Sequence, residues 1–446
     1  PMPVVALLPL ILFPLFKIAT LKATAVPYAS DIIFLFMGGF MLGLAIEKWN
    51  LHRRIAMNIV RITGTSGDRI ILGFILATGL LSMWLSNTAT TMMMFPIALS
   101  VIHVMKENHK GEGNLANFSL CIMLAIAYAS NLGGIATIIG TPPNVQYRLH
   151  IESVKNLDAS VSFIDWMLLC MPLSIILLFS LYWVMVKLLF PNRIRSDVST
   201  KTFIAEELRN LGPMSKAEKR VLWIFAVTAF LWITREIINN IQSVIVLDDT
   251  MIAVMCAVAL FICPSGIDKS EAADVASENN ETGSILEWKD TTKMAWGILL
   301  LFGGGLALAT SLENGGLITQ LGKWLSQFAG NQFLLVLTVV IVSIFASEVM
   351  SNVAQVMVFG PVLTELAREL HMNPLMLGIP MTLAASCAGM LPMGTPPNAI
   401  VFSSGNIKLR QMTKAGFVMN IVAIILITLF CWFLVPLLIN TPVWKS

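Results

Sequence analysis

Charge is what this chain has least of. Only 12% of its 446 residues are Asp, Glu, Lys or Arg, where a soluble globular domain carries about 25%. Hydrophobic residues make up 56% and mean hydropathy is +0.78, so most side chains must face lipid or other buried helices. The net charge of +3 is too small for this length to suggest a nucleic-acid partner. Histidine is scarce as well. His52, His103, His109, His150 and His371 fall in loops or near span ends and form no triad or metal spacing, which argues against a membrane enzyme. Cys121, Cys170, Cys256, Cys263, Cys387 and Cys431 all lie in apolar runs, as packed thiols do, and do not read as a disulfide framework. No phosphate-cradling Gly-rich loop ending in Lys-Ser or Lys-Thr occurs, so ATP-driven transport has no support. The opening Pro1-Met2-Pro3 leads directly into an apolar run, without the basic segment and cleavage site of a removable signal peptide.

What the chain does have is long apolar stretches. A spanning helix needs about 20 mostly apolar residues. Spans are predicted at Val4–Thr20, Asp31–Lys48, Phe118–Ile139, Trp166–Phe190, Val221–Ile238, Met251–Cys263, Met294–Leu312, Leu375–Met393 and Ala415–Ile439. Two further stretches, Ile70–Val104 and Phe333–Leu366, are long enough for two arms and carry polar breaks at Ser86-Asn87-Thr88 and Ser351-Asn352. Read as hairpins that enter and leave on one side, they place Arg53, Arg54, Arg61, Arg69, Lys106, Lys110, Arg193, Arg195, Arg209, Lys216, Lys219, Arg220, Lys408, Arg410 and Lys414 together. The opposite loops hold only Lys22, Arg148, Lys155, Arg235 and Lys323. The basic side is cytoplasmic by the positive-inside rule, which sets the C-terminus outside. Thr202–Leu211 has the apolar spacing of an interfacial helix, and Ser265–Asp290 is a polar, acidic linker.

The sequence also repeats itself. Phe36-Met37-Gly38-Gly39 returns as Phe302-Gly303-Gly304-Gly305, a shift of 302 − 36 = 266, and Glu47 falls on Glu313 at the same shift. Ser82-x-x-x-Ser86-Asn87-x-Ala89 returns as Ser347-x-x-x-Ser351-Asn352-x-Ala354, a shift of 347 − 82 = 265, which also puts Pro96 on Pro361. Gly140-Thr141-Pro142-Pro143-Asn144 returns unchanged at Gly394–Asn398, a shift of 394 − 140 = 254. Asp31–Lys48 runs inward and Met294–Leu312 outward in this topology, so the repeats are inverted. The expected organisation is a first repeat over 1–190, a cytoplasmic interfacial segment over 191–220 and a second repeat over 221–439 containing the 265–290 linker. Val221–Ile238 has no partner upstream of Val4, so at least one more helix is expected before Pro1. Interrupted helices at corresponding places in two inverted halves are the sequence signature of a secondary transporter's binding site.

The motifs suit that role chemically. A hairpin tip at membrane depth exposes backbone N–H and C=O groups that are costly in hydrocarbon unless satisfied. Carbonyl, Ser and Asn oxygens gathered there make a hard cage fitted to Na⁺, while N–H groups suit a carboxylate. Paired prolines remove donors, break the helix and leave upstream carbonyls free for a cation. Either motif alone is ordinarily interhelical hydrogen bonding or a helix end; both together, twice, are not. The Gly38-Gly39 and Gly303–Gly305 runs, Trp84 and Met92–Met94 read as packing. Glu348, whose first-half counterpart is Met83, reads as a carboxylate bonding the hairpin backbone, with direct ion coordination as the alternative.

These residues resemble the divalent-anion:sodium symporter family of sodium-coupled di- and tricarboxylate and sulfate carriers, through the paired Ser-Asn tips and both Thr-Pro-Pro segments. The likeness covers essentially the whole chain, which looks like an eleven-span member without its first two helices. The resemblance implies an all-α integral membrane protein of two inverted repeats, each with a re-entrant hairpin and a broken helix. It further implies an elevator-type homodimer in the cell (inner) membrane, with two or more sodium ions and no organic cofactor. One Na⁺ would be held by Ser82, Ser86, Asn87 and the carbonyl of Gly140, a second by Ser347, Asn352 and the carbonyl of Gly394. Substrate carboxylates would meet Asn87, Thr88, Thr141, Pro142, Asn352, Thr395 and Pro396, with Val353 standing where the tip's second Thr would be. The expected activity is Na⁺-coupled uptake of C4-dicarboxylates such as succinate, malate or fumarate. A sodium-independent exchanger and a citrate or sulfate carrier remain open alternatives at this point; a membrane enzyme or channel is disfavoured.

Overall fold

The computed structural model describes residues 2–108, 114–154, 157–158, 161–194, 198–242, 245–266, 283–327, 330–438 and 443–444. The sequence readings on His109, Lys110, Lys155, Arg195 and residues 267–282 of the linker lie outside them. Among the described residues, seven helices are long and apolar enough to cross a membrane.

The chain opens with α1 (Met2–Val5), α2 (Leu8–Leu15) and α3 (Leu21–Ala25), so the predicted Val4–Thr20 span is not one helix. Pro9 and Pro14 remove N–H donors, and Lys17 takes a left-handed φ of 58° that ends the turn. α4 (Asp31–Lys48) has the predicted bounds. α5 (Leu51–Thr63) is amphipathic, burying Leu51, Met57 and Val60 while Arg53, Arg54 and Arg61 lie on its more exposed side. The first double-length stretch forms α6 (Gly67–Ser82) and α7 (Asn87–Asn108) around a tip at 83–86. α8 (Leu115–Gly134) ends five residues before its predicted limit and leads through residues 135–141 into α9 (Pro142–Ser153). α10 (Phe163–Tyr182) starts on a Ser162–Asp165 capping box and loosens into a π-helix at Trp183–Leu189.

α11 (Val198–Asn210) covers most of the Thr202–Leu211 stretch, and α12 (Lys216–Ile241) and α13 (Asp249–Ile262) follow it. α14 (Trp296–Asn314) and α15 (Leu317–Ser326) precede the second hairpin, α16 (Gln332–Ala346) and α17 (Asn352–Glu369). α18 (Leu375–Ala385) is eleven residues long, so the predicted Leu375–Met393 span stops eight residues early. α19 (Pro396–Phe402) and α20 (Leu409–Leu438) complete the bundle. The one sheet among the described residues pairs β1 (Leu157–Asp158) with β2 (Val443–Trp444).

Two sets of ion pairs mark two ends. Lys48–Asp290, Arg53–Glu207, Arg54–Glu218 and Lys187–Asp68 form one; Arg148–Glu152, Arg148–Asp249 and Arg235–Asp249 form the other. The two sets share no residue; Arg53 and Arg54 of the first were counted on the basic side, and Arg148 and Arg235 of the second on the opposite side. The hairpins open toward different ends. At the base of the first, Gly67 N–H donates to Ile194 O at 3.1 Å and Asn114 N–H to Asn192 O at 2.7 Å. At the base of the second, His150 Nε2 on α9 lies 2.9 Å from Thr364 Oγ1 on α17. α9 packs on α17 and α18, while α19 packs on α7 and α8. Each half thus lends its short helix to the other half's hairpin. Gly38 meets the backbone of Ala253 and Gly303 meets Tyr28 so closely that neither has room for a Cβ, which makes both glycine runs close-packing seams.

Candidate functional site

Both pentapeptides begin helices. Thr141 and Thr395 are the N-caps of α9 and α19, and the prolines that follow occupy first-turn positions where a missing N–H costs nothing. The break itself lies upstream, at 135–141 and 386–395. Its carbonyls are only partly free, contrary to the sequence reading. Asn144 Nδ2 donates to Gly134 O at 3.3 Å and to Thr137 O at 2.8 Å. Asn398 Nδ2 donates to Ala388 O at 3.4 Å and Leu391 O at 3.1 Å, which are the same positions shifted by 388 − 134 = 391 − 137 = 254. The last residue of each pentapeptide is therefore the clasp of its loop. The opposite atoms, Asn144 Oδ1 and Asn398 Oδ1, are both buried without a partner.

The tips match in the same way. Ser82 Oγ donates to Asn87 Oδ1 at 2.7 Å, and Ser347 Oγ to Asn352 Oδ1 at 2.9 Å. Ser347 Oγ also reaches Ala385 O, and Ser86 Oγ accepts Ala89 N–H at 3.3 Å, capping α7. Asn87 Nδ2 donates to Asn131 Oδ1 at 3.4 Å, and Asn131 Nδ2 to Thr395 Oγ1 at 3.0 Å. Ser82, Asn87 and Thr395 are thereby strung on one chain of side chains running from the first tip to the second loop. Gly140 joins the same place: a Cβ there would lie 2.4 Å from Gly134 O and 3.0 Å from Met83 O, and one on Gly134 would lie 2.3 Å from Asn87 Oδ1. Only glycine lets these oxygens converge. No hydrogen bond among the described residues joins the Ser82–Asn87 and Ser347–Asn352 pairs to each other. Thr88, Asn352, Val353 and Pro142 are half-buried and Pro396 is exposed, so the tips remain open on one face. The Thr88 and Thr141 hydroxyls have no partner among the described residues.

The halves differ at one point. In the first, Thr137 Oγ1 donates to the backbone carbonyl of Met83. In the second, the residue corresponding to Met83 is Glu348, which is fully buried. Its Oε1 accepts Gly389 N–H at 3.0 Å, Met390 N–H at 2.9 Å and Asn420 Nδ2 at 2.9 Å, and its Oε2 accepts Leu391 N–H at 3.0 Å. Glu348 therefore bonds the broken-helix loop and α20, where the sequence reading had it bond its own hairpin. Gly394 sits against it, with Oε2 3.1 Å from where a Cβ would be.

Trp84 packs on Phe163 and Phe225 as expected; Met93 and Met94 pack inward, whereas Met92 is 59% exposed. Sequence reasoning missed Asn131, the link between the halves. Ser130-Asn131 is a third copy of the tip dipeptide, and that was its signal. Among the described residues, no group of three His, Cys, Asp or Glu side chains could hold a metal ion.

Comparison with known proteins places these features. The profile of the sodium:sulfate symporter transmembrane region matches residues 1–439. The sodium-dependent dicarboxylate transporter SdcS of Staphylococcus saprophyticus subsp. saprophyticus is 38% identical over 442 residues, 98% of this chain and 82% of that one. SdcS of Staphylococcus aureus strain MRSA252 is 37% identical over 449 residues, 99% of this chain and 84% of that one. Two solved transporters share the fold. YdaH of Alcanivorax borkumensis has a TM-score of 0.59 at 13% identity, covering 93% of this chain and 87% of that one. The antimetabolite efflux pump MtrF of Neisseria gonorrhoeae has a TM-score of 0.59 at 12% identity, covering 97% and 86%.

Proposed function

We propose, for a chain that belongs to the sodium:sulfate symporter family, that it carries a small dicarboxylate across the cell membrane together with sodium ions. It is a transporter and not an enzyme. The relatives' name supports the sodium-coupled dicarboxylate reading; we take the carried anion to be a C4-dicarboxylate such as succinate, malate or fumarate, moved into the cell.

One observation carries the coupling. Residues 82–88, 131–144, 347–353 and 385–398, the tips and loops together, contain no Lys, Arg or His, and Glu348 is their single charged residue. A dianion brought there finds no fixed positive charge, and an uncompensated charge at membrane depth costs several kcal/mol. Sodium ions supply the missing charge. Ser82, Ser86, Asn87 and the Gly140 carbonyl are proposed for one ion, and Ser347, Asn352 and the Gly394 carbonyl for the other. Asn87, Thr88, Thr141, Pro142, Asn352, Val353, Thr395 and Pro396 are proposed to line the anion. The Ser–Asn contacts of 2.7 and 2.9 Å support this, because each pair already brings two hard oxygens together. The hairpins that open to different ends support two inverted repeats, over 1–190 and 221–439, working in a homodimer by an elevator-like step.

The test is succinate uptake into proteoliposomes under a Na⁺ gradient, expected to vanish when choline replaces Na⁺. Equal uptake in both buffers would sink the reading and favour an exchanger. Asn87→Ala and Asn352→Ala should each abolish Na⁺-driven uptake at normal membrane abundance, since each amide offers an oxygen to the cation and N–H to the carboxylate.

A further inference from the structure

At the arginine-rich end of the bundle, apart from tips and loops, lies a cavity of about 770 Å³ lined by α5, α6, the segment after α10, and α11. Three arginines line it: Arg61 from the last turn of α5, Arg69 from the first turn of α6, and Arg193. Among the described residues none of the three has an ion-pair partner. The lining carboxylate, Asp68, is already neutralised, with Lys187 Nζ at 2.6 Å from Oδ2 and Asn192 Nδ2 at 2.9 Å from Oδ1. Among the described residues, the cavity therefore keeps three positive charges without an ion-pair partner. The N-terminus of the sixteen-residue α6 opens on it too, and Ser66 makes no side-chain cap there, so the helix adds its own positive end.

The backbone at Arg193 is strained toward this arrangement. Its φ is 53°, a left-handed conformation that side chains other than Gly, Asn and Asp rarely adopt. Both neighbours pin it: buried Asn192 accepts Ile194 N–H on Oδ1 at 3.1 Å, and Ile194 O accepts Gly67 N–H at 3.1 Å. Strain held in place by its surroundings points to use. The level in the bilayer is marked by Ile62, 78% exposed directly beside Arg61. An apolar and a cationic side chain side by side at the end of an amphipathic helix belong at the boundary of acyl chains and headgroups.

We propose that this cavity binds the phosphate of an anionic lipid headgroup, with Arg61, Arg69 and Arg193 as its donors. Guanidinium forks match phosphate oxygens in pairs, and basic pockets between helices at the cytoplasmic face suit such headgroups. A headgroup seated there would tie interfacial helices α5 and α11 to the base of the first hairpin.

The test is native mass spectrometry of delipidated full-length protein titrated with phosphatidylglycerol or phosphatidylcholine. Wild type should prefer phosphatidylglycerol. Arg61→Gln, Arg69→Gln and Arg193→Gln combined should lose on the order of a hundredfold of that preference, at roughly fivefold per arginine. Lys408→Gln, Arg410→Gln and Lys414→Gln combined, basic residues that do not line the cavity, should retain it. Should the first triple variant fail to fold, its three single variants carry the test, each losing roughly fivefold. An unchanged preference in the arginine variants, or an equal loss in the control, overturns the site. Displacement of the lipid by millimolar inorganic phosphate would overturn the lipid assignment and give the site to a soluble phosphate.

Discussion

Replacing Glu348 by Gln removes a charge and one acceptor while keeping the shape. The carboxylate accepts four N–H groups at 2.9–3.0 Å, three on Oε1 and one on Oε2. If the amide oxygen takes the Oε1 place, its NH₂ faces the Leu391 N–H, donor against donor. That leaves a buried donor unmade, at about 1–3 kcal/mol, and turns the other three bonds from charge-assisted to neutral, about 1 kcal/mol each. The loop 389–391 thus loses about 3–5 kcal/mol of anchorage, and α20 about 1 kcal/mol through Asn420. Gly394, proposed to offer its carbonyl to sodium, sits at the end of this loop. The negative charge nearest that ion disappears as well. In Glu348→Gln the Na⁺ concentration for half-maximal succinate uptake should rise at least tenfold, while the succinate KM at saturating Na⁺ changes less than threefold. Sodium titration of uptake in proteoliposomes, with membrane abundance checked, measures both. A variant with unaltered sodium dependence would refute the reasoning, as would a parallel rise in both constants.

Val353→Thr restores a hydroxyl where the first tip carries Thr88. Hydrogen bonds to charged acceptors contribute about 1.5–3 kcal/mol, so the inhibition ranking among succinate, citrate and sulfate should shift roughly tenfold or more with Na⁺ dependence intact; an unaltered ranking would show that position 353 only packs the tip. Asp249, 2% exposed, holds Arg148 at 3.0 Å, Arg235 at 2.8 Å and Phe163 N–H at 3.1 Å. Asp249→Ala leaves Arg148 only Glu152 and Arg235 only Glu236, leaves Phe163 N–H without its acceptor, and should cost about 3 kcal/mol, read as a melting temperature lower in detergent by on the order of 5 °C; an unchanged melting temperature would show the cluster to be solvated.

Helix positions were legible where hydropathy and helix ends coincide. α4 keeps its predicted bounds of Asp31 and Lys48 because charges close both ends. α8 and α18 were read too long because Ile135, Ala136, Ile138 and Ile139, like Cys387–Leu391, are apolar residues in a non-helical loop. Hydropathy cannot see that these backbones are held by Asn144, Asn398 and Glu348. The tips were legible because they repeat. The Asn131–Thr395 link was not, since the two residues lie 395 − 131 = 264 positions apart and only one of them lies in the repeat. Glu348 was visible as an anomaly, but its partners come from two distant elements, 389–391 and Asn420, that no spacing rule connects.

The exchange of short helices between halves has a consequence for how the protein is made. α7 begins at Asn87, yet α19, which packs on it, begins at Pro396, so the ribosome delivers the two 396 − 87 = 309 residues apart. Loop closure over such a distance comes late. The first hairpin must therefore wait with the α19 side of its tip uncovered until nearly the last helix arrives, while Thr137 and Asn131 from its own half already hold Met83 and Asn87. Failure of that closing contact would yield an inserted but inactive chain, one that reaches the bilayer intact and is open to quality-control proteolysis at the tip.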